Sequence, residues 1–178
     1  MPDDMVWKVT VTAFAAFQRK VADWLRLVKK EAIMSELFLV TESLRFDMAR
    51  GPDIRNISAE LQRIVERSGA AQGTLNATAV GSTGSLTTIE YEPGVVADLQ
   101  QAINRLAPPD IAYEHERRWH DGNGHSHVQA ALLGPSLVLP IREGRLALGT
   151  WQQVVLINHD VKPRIRNVEV TLVAAAQG

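Results

Sequence analysis

The chain has 178 residues, nearly half of them apolar and 22% charged, with a formal net charge of -1 and no cysteine. That length suits one domain with an ordinary core and leaves little room for a second. The charge balance removes any global positive field for nucleic acid or an anionic membrane, and the lack of cysteine removes disulfides, thiolate nucleophiles and thiolate-bound zinc together. No apolar stretch approaches bilayer-spanning length, and the N-terminus lacks the pattern of a secretory signal, so a cytoplasmic protein without membrane or nucleic-acid partners is expected.

In chain order, Phe14, Phe17, Val21, Trp24, Leu25 and Val28 recur at helical spacing, with Arg19, Lys20, Arg26, Lys29 and Lys30 among them. This predicts a basic amphipathic helix, an extension over residues 1–33 ahead of a domain at 34–178. Such a face more often packs on its own domain or another subunit than on a membrane surface. Phe38 and Val40, then Leu44, Phe46 and Met48, alternate as two strands, which Gly51 and Pro52 end. Ser58 is placed to cap a helix with the stripe Leu61, Ile64 and Val65, closed by Gly69. Strands are expected over Leu75–Val80 and Leu86–Glu90, then a helix opened by Pro93 and Gly94 with Val96, Leu99, Ile103 and Leu106 on one face. Pro108 and Pro109 end that helix. A short helix is expected over Val128–Leu133, followed by strands at Ser136–Ile141, Arg145–Leu148, Gln152–Ile157 and Asn167–Ala174. The order argues for an α+β fold with a largely antiparallel sheet core and flanking helices.

Four of the five histidines fall in one segment: His115, His120, His125 and His127. Imidazole is the commonest neutral metal ligand, so these four are the candidate ligands of a divalent metal, zinc or similar. In an extended stretch His125 and His127 would point to the same side. Glu116, Asp121 and Glu90 are candidate carboxylates behind them, and Gly122 and Gly124 permit the required turns. The competing reading is a solvated loop whose histidines do separate hydrogen-bonding jobs. A second constellation is Gly81-Ser82-Thr83-Gly84-Ser85, whose backbone N–H groups and hydroxyls suit an anion, although a plain hairpin connection is the more frequent meaning. Arg164 and Arg166 offer guanidinium forks for phosphate or carboxylate, or else protect an edge strand. Trp151 and Gln152 offer a flat wall with polar tips for a planar ring, or else belong to the core.

Together, Gly134 to Ile141 and Gly144 to Gln152, with Tyr113-Glu114-His115 and His125 to Gly134, resemble the YjbQ-like family in order and spacing, over about Ser35 to Ala174. Met34 is accordingly a candidate start of the domain proper. The resemblance implies a compact YjbQ-like α+β domain that forms homotrimers, with sites near subunit boundaries. It also implies a secondary thiamine-phosphate synthase activity, joining an aminopyrimidine diphosphate to a thiazole phosphate. Where many members carry His-Thr-Thr-Ala or His-Thr-Ser-Ala, this chain has Gly81-Ser82-Thr83-Gly84, and His120 is the candidate to replace the missing imidazole.

The first functional expectation is therefore a small-molecule enzyme or metabolite-binding trimer for a small anionic or phosphorylated metabolite. His115, His127 and Glu90 would be its catalytic groups, and Ser82, Thr83, Trp151, Gln152, Arg164 and Arg166 its ligand-binding groups. The alternatives are a metal-dependent hydrolase or lyase and a non-catalytic regulatory trimer.

Overall fold

The structure, a computed structural model, describes residues 17–23 and 36–176, and the chain divides into Met1–Ser35 and Glu36–Gly178. Of the expected N-terminal helix, residues 17–23 are helical (α1), and the remainder lies outside the described residues.

The domain follows the order β1 (Leu37–Met48), β2 (Asp53–Asn56), α2 (Ser58–Ser68), β3 (Ala70–Ala79), β4 (Gly84–Ile89) and α3 (Pro93–Leu106). It continues with α4 (Glu116–Trp119), α5 (Gly124–Leu133), β5 (Ser136–Arg142), β6 (Arg145–Leu146), β7 (Gln153–Asn158) and β8 (Arg164–Ala176). The strands form a five-stranded sheet, β1-β8-β3-β5-β6, and a three-stranded sheet, β2-β7-β4, and every pairing is antiparallel. The α+β expectation with an antiparallel core is borne out. Among the described residues, no helix is long and apolar enough to cross a membrane.

The two strands expected between Phe38 and Met48 are one continuous strand of 12 residues. The reason is Glu42, which occupies an inward-phase position and is neutralised there by both carboxylate contacts of Arg67, at 3.0 and 2.7 Å. The alternation therefore runs on through a charged residue that reads as a break.

The larger core cluster fills the space among the five-stranded sheet, α2 and one face of the smaller sheet, with Phe46, Leu61, Ile64, Leu75, Leu86, Leu156, Val170 and Leu172 all buried. On the other face of the smaller sheet, Ile54, Val155 and Ile157 meet Ile103 of α3, with Val96, Leu99 and Leu133 packed around them. The strand β7 is thus covered on both sides, which is why it reads as a near-continuous apolar run. Each such side chain contributes about 1.5–3 kcal/mol relative to exposure.

Two local expectations are corrected. The Ser58 hydroxyl does not cap α2 but accepts from the Val154 N–H at 2.8 Å, tying the helix start to β7. Leu106, placed on the buried stripe of α3, is 69% exposed because the last residue of that helix lying over the sheet is Ile103. Gly69, by contrast, closes α2 in the left-handed conformation, with φ of 72°.

Candidate functional site

Four segments converge at one end of the smaller sheet: the turn Gly81–Gly84, the start of α5, the segment after β7 and the first residues of β8. Gly51 brings a fifth, since its N–H donates to the Asp160 carbonyl at 2.9 Å and a Cβ there would lie 2.3 Å from the Asn158 carbonyl oxygen.

The helix α5 begins at Gly124, four residues before the expected Val128, so His125 and His127 are helical and not extended. Two residues on a helix are separated by about 200°, and the two rings diverge. His125 is buried beside Tyr113, with ring centroids 6.2 Å apart. Burial lowers its pKa, with Glu116 opposing and Arg50 adding to the shift. His127 faces the other way, 4.6 Å from the His115 ring. His120 is exposed at a left-handed turn, with φ of 50°, and does not join the other histidines. The four imidazoles therefore do not converge; His115 and His127 do.

What fixes this helix start is a carboxylate. Glu116 accepts from the N–H groups of Gly122 at 2.7 Å and Gly124 at 2.9 Å. Those backbone donors, with His115 also contributing, hold its pKa below the ordinary carboxylate value despite an opposing desolvation effect. The helix terminus is thus already occupied by an anion from the chain itself.

Beneath the turn lies a buried polar network. Arg166, 6% exposed, donates from Nη2 to the Thr83 carbonyl at 2.9 Å and the Thr83 hydroxyl at 2.6 Å, and from Nε to Asn158 Oδ1 at 3.0 Å. Asp160 accepts from Thr83 Oγ1 at 3.1 Å, Asn123 Nδ2 at 3.3 Å and Arg164 Nε at 2.8 Å. Burial alone would raise the Asp160 pKa, but these donors and the Lys162 N–H outweigh it and hold the carboxyl ionised below its usual range.

His159, Ser85 and Gln129 form a second buried set, with Ser85 Oγ 2.7 Å from His159 Nε2 and Gln129 Oε1 3.2 Å from His159 Nδ1. Gln129 donates from Nε2 to the Ala107 carbonyl at 2.9 Å, so its oxygen faces the imidazole and the proton sits on Nδ1. The triplet resembles a nucleophile pair with an orienting third group. Yet Ser85 is 0% exposed and does not line the neighbouring cleft, so it clips α5 to β4 and β7. The Ser126 hydroxyl, donating to the His159 carbonyl at 2.7 Å, adds to that clip.

Over the network lies an open cleft of about 260 Å³ lined by Gly81, Ser82, Gly84, His127, Ala130, Ala131 and Pro135. Gly81 and Gly84 form a floor without side chains, and the Arg166 guanidinium lies directly behind it: a Cβ on Gly81 would lie 3.3 Å from Arg166 Nη1.

Of the expected ligand-binding residues, Ser82 lines this cleft, Arg166 backs it, and Thr83 is buried in the network beneath it. Arg164 is half-exposed and held by Asp160. Trp151, Gln152 and Glu90 are elsewhere: they flank the opposite end of the β4–β7 ladder, where Ile89 pairs with Gln153, whereas Gly84 pairs with Asn158 at the cleft end. Gln152 serves its own turn, accepting from the Gly149 N–H and donating to Thr88 Oγ1. Sequence reasoning missed Asn123, Gln129, Asn158, His159 and Asp160, and it placed Ser85 in the anion loop, whereas the Ser85 hydroxyl pairs with His159. The available signal was three consecutive polar residues, Asn158-His159-Asp160, directly after the apolar run of β7.

Residues 42–175 match the family model described as UPF0047 protein YjbQ-like. A UPF0047 protein of Archaeoglobus fulgidus is 34% identical over 127 residues, covering 71% of this chain and 96% of the relative. The UPF0047 protein YjbQ of Salmonella typhimurium is 38% identical over 101 residues, covering 56% of this chain and 72% of the relative. Among solved structures, a YbjQ-like protein of unknown function from Sulfolobus solfataricus superposes with a TM-score of 0.74 at 28% identity, covering 78% of this chain and 99% of the other. A hypothetical protein from Aeropyrum pernix gives 0.70 at 26% identity, with the same coverages. Sequence and fold agree, and the chain belongs to the UPF0047 YjbQ-like family.

Proposed function

We propose that the chain is a small-molecule protein that holds the phosphate or carboxylate of a metabolite in the cleft between Gly81–Gly84 and α5. The observation that carries this reading is Arg166, a buried guanidinium whose Nη1 would lie 3.3 Å from a Cβ on Gly81, a residue of the cleft floor. A charge held in place by Thr83, Asn158 and Asp160 needs little reorganisation to meet an anion. Ser82 adds a hydroxyl and His127 an imidazole at the cleft wall. Thiamine-phosphate synthase chemistry, which releases diphosphate, is one reaction such a cleft would suit, and a homotrimer is the assembly that would bring further groups to it.

Calorimetric titration with inorganic phosphate and diphosphate tests the reading. Wild type is expected to bind both. Arg166→Lys, which keeps the charge but not the fork, should weaken binding on the order of ten-fold or more, the equivalent of about 1.5–3 kcal/mol for a charge-assisted hydrogen bond. Ala131→Phe fills the cleft from the helix surface without touching the buried network and should abolish binding. Unchanged affinity in both variants would overturn the assignment.

A further inference from the structure

We propose that His115, Glu116 and Asp121 form a binding site for one divalent transition-metal ion of the zinc type, with His127 on its open side. The proposed ligands are distinct from the groups of the anion cleft, which the site adjoins only at His127, so either site can bind while the other fails to.

Among the described residues, His115 Nδ1 is the buried side-chain nitrogen or oxygen that has no hydrogen-bond partner. A buried polar atom without a partner is costly, and a bound ion is one of the ways in which a native structure completes it. Nδ1 lies 3.6 Å from Glu116 Oε1 and 3.6 Å from Asp121 Oδ1. The three donor atoms all fall within 4.8 Å of one another. In a tetrahedral zinc site with bonds of about 2.0–2.1 Å, donor atoms sit roughly 3.3–3.4 Å apart. The two edges from His115 are therefore near those of a coordination polyhedron, and longer than ordinary hydrogen bonds to either carboxylate.

The carboxylates are held in place by the backbone. Glu116 is fixed at both oxygens by the N–H groups of Gly122 and Gly124, and Asp121 Oδ1 accepts from the Asn123 N–H at 3.1 Å. Such outer contacts orient ligands before the ion arrives. The adjacent arginines are engaged elsewhere: Arg117 pairs with Glu114 at 2.8 Å, and Arg118 lies over the Trp119 ring. One imidazole and two carboxylates suit zinc, cobalt, nickel or manganese, and the two negative charges match a dication. The left-handed turn at His120 swings Asp121 back onto His115 and leaves the His120 ring outside. The donor set therefore differs from the four histidines expected from the sequence. The His127 ring, 4.6 Å from that of His115, leaves a fourth position for an imidazole or water at the edge of the cleft.

Chelator-treated, tag-free full-length protein titrated with zinc by calorimetry, and with cobalt by visible absorption, tests the site. One ion per chain is expected. Asp121→Asn retains an acceptor for the Asn123 N–H while removing the charge, and should weaken binding at least on the order of ten-fold. His115→Ala should weaken it more, and His120→Ala should leave it unchanged. Trp119 stacks on His115 with centroids 6.5 Å apart, so cobalt binding should quench a fluorescence signal that Trp119→Phe removes. The proposal is overturned if wild type takes up no stoichiometric zinc, if Asp121→Asn binds as wild type while melting normally, or if His120→Ala loses as much as His115→Ala.

Discussion

His159 is a buried base kept neutral by its surroundings. Its pKa is lowered to about 4, first by burial, then by the Arg166 guanidinium and then by His125. An unfolded chain protonates the same imidazole near 6.5, so between pH 6.5 and 4 the unfolded state binds more protons than the folded one. The stabilisation is therefore fully present above pH 6.5 and is lost as pH falls toward 4. A shift of this size corresponds to about 3 kcal/mol over the window. Asp160 and Glu116, whose pKa values are lowered from ordinary carboxylate values, lose their contributions at more acid pH. Urea unfolding of wild type at pH 7, 6 and 5 should show midpoints falling with pH. His159→Gln, which can still bond Ser85 and Gln129, should flatten that dependence. An equally steep fall in the variant would assign the acid sensitivity to another group.

The start of α5 shows how an element can be invisible in its own residues. Gly124-His125-Ser126-His127 carries no apolar periodicity, and two of its residue types favour turns, so the pattern indicates a helix only from Val128. The missing information is non-local: the Glu116 carboxylate, eight residues before Gly124, supplies the cap, and burial of His125, Ser126 and Gln129 supplies the packing. Where an element is specified by its own period, as in α2 with Leu61, Ile64 and Val65, or by an unbroken apolar run, as in β7, its existence was legible. Where polar groups satisfy one another across the chain, as Glu42 does with Arg67 or His159 with Ser85, it was not. The family resemblance marked the segments of the site but not their internal bonding. Gly124 tests the point, because a Cβ there would lie 2.5 Å from Tyr113 Cβ and 2.9 Å from its Cγ. Gly124→Ala must push the Tyr113–Trp119 segment off the helix, and should cost about 1–3 kcal/mol in chemical denaturation. Gly122→Ala meets no neighbour within 4 Å but sits at φ of 70°, so its cost is confined to backbone strain of about 1 kcal/mol. Equal losses in the two variants would mean that the close approach at Tyr113 is not what requires glycine.

At the scale of the whole molecule, the aromatic wall expected beside the proposed anion site stands at the far end of the smaller sheet from the cleft. From Gly84 to Ile89, β4 spans roughly 17 Å, so Trp151 cannot reach a ligand in the cleft that begins at Gly81. Trp151 is 71% exposed, so its ring is open to a partner. The outer face of the five-stranded sheet is also apolar toward one end: Leu39 is 65% exposed, Val138 62% and Val173 41%, and Leu39 and Val173 are direct cross-strand neighbours. Both features fit the proposed homotrimer, in which the sheet face is covered and Trp151 of one copy reaches the cleft of the next. Light scattering of wild type should then give the mass of three chains of 19.6 kDa each, and Leu39→Glu should give that of one. Ligand binding separates assembly from mere aggregation. A stacked ring contributes about 0.5–1.5 kcal/mol beyond its buried area, so a heteroaromatic phosphate should bind wild type roughly two- to ten-fold better than inorganic phosphate does. Trp151→Ala should remove that preference while leaving inorganic phosphate unaffected, and monomeric Leu39→Glu should lose it too, because its Trp151 no longer faces a neighbour. If the monomer kept the preference, the stacking partner would have to lie within a single chain, and the composite site would be wrong.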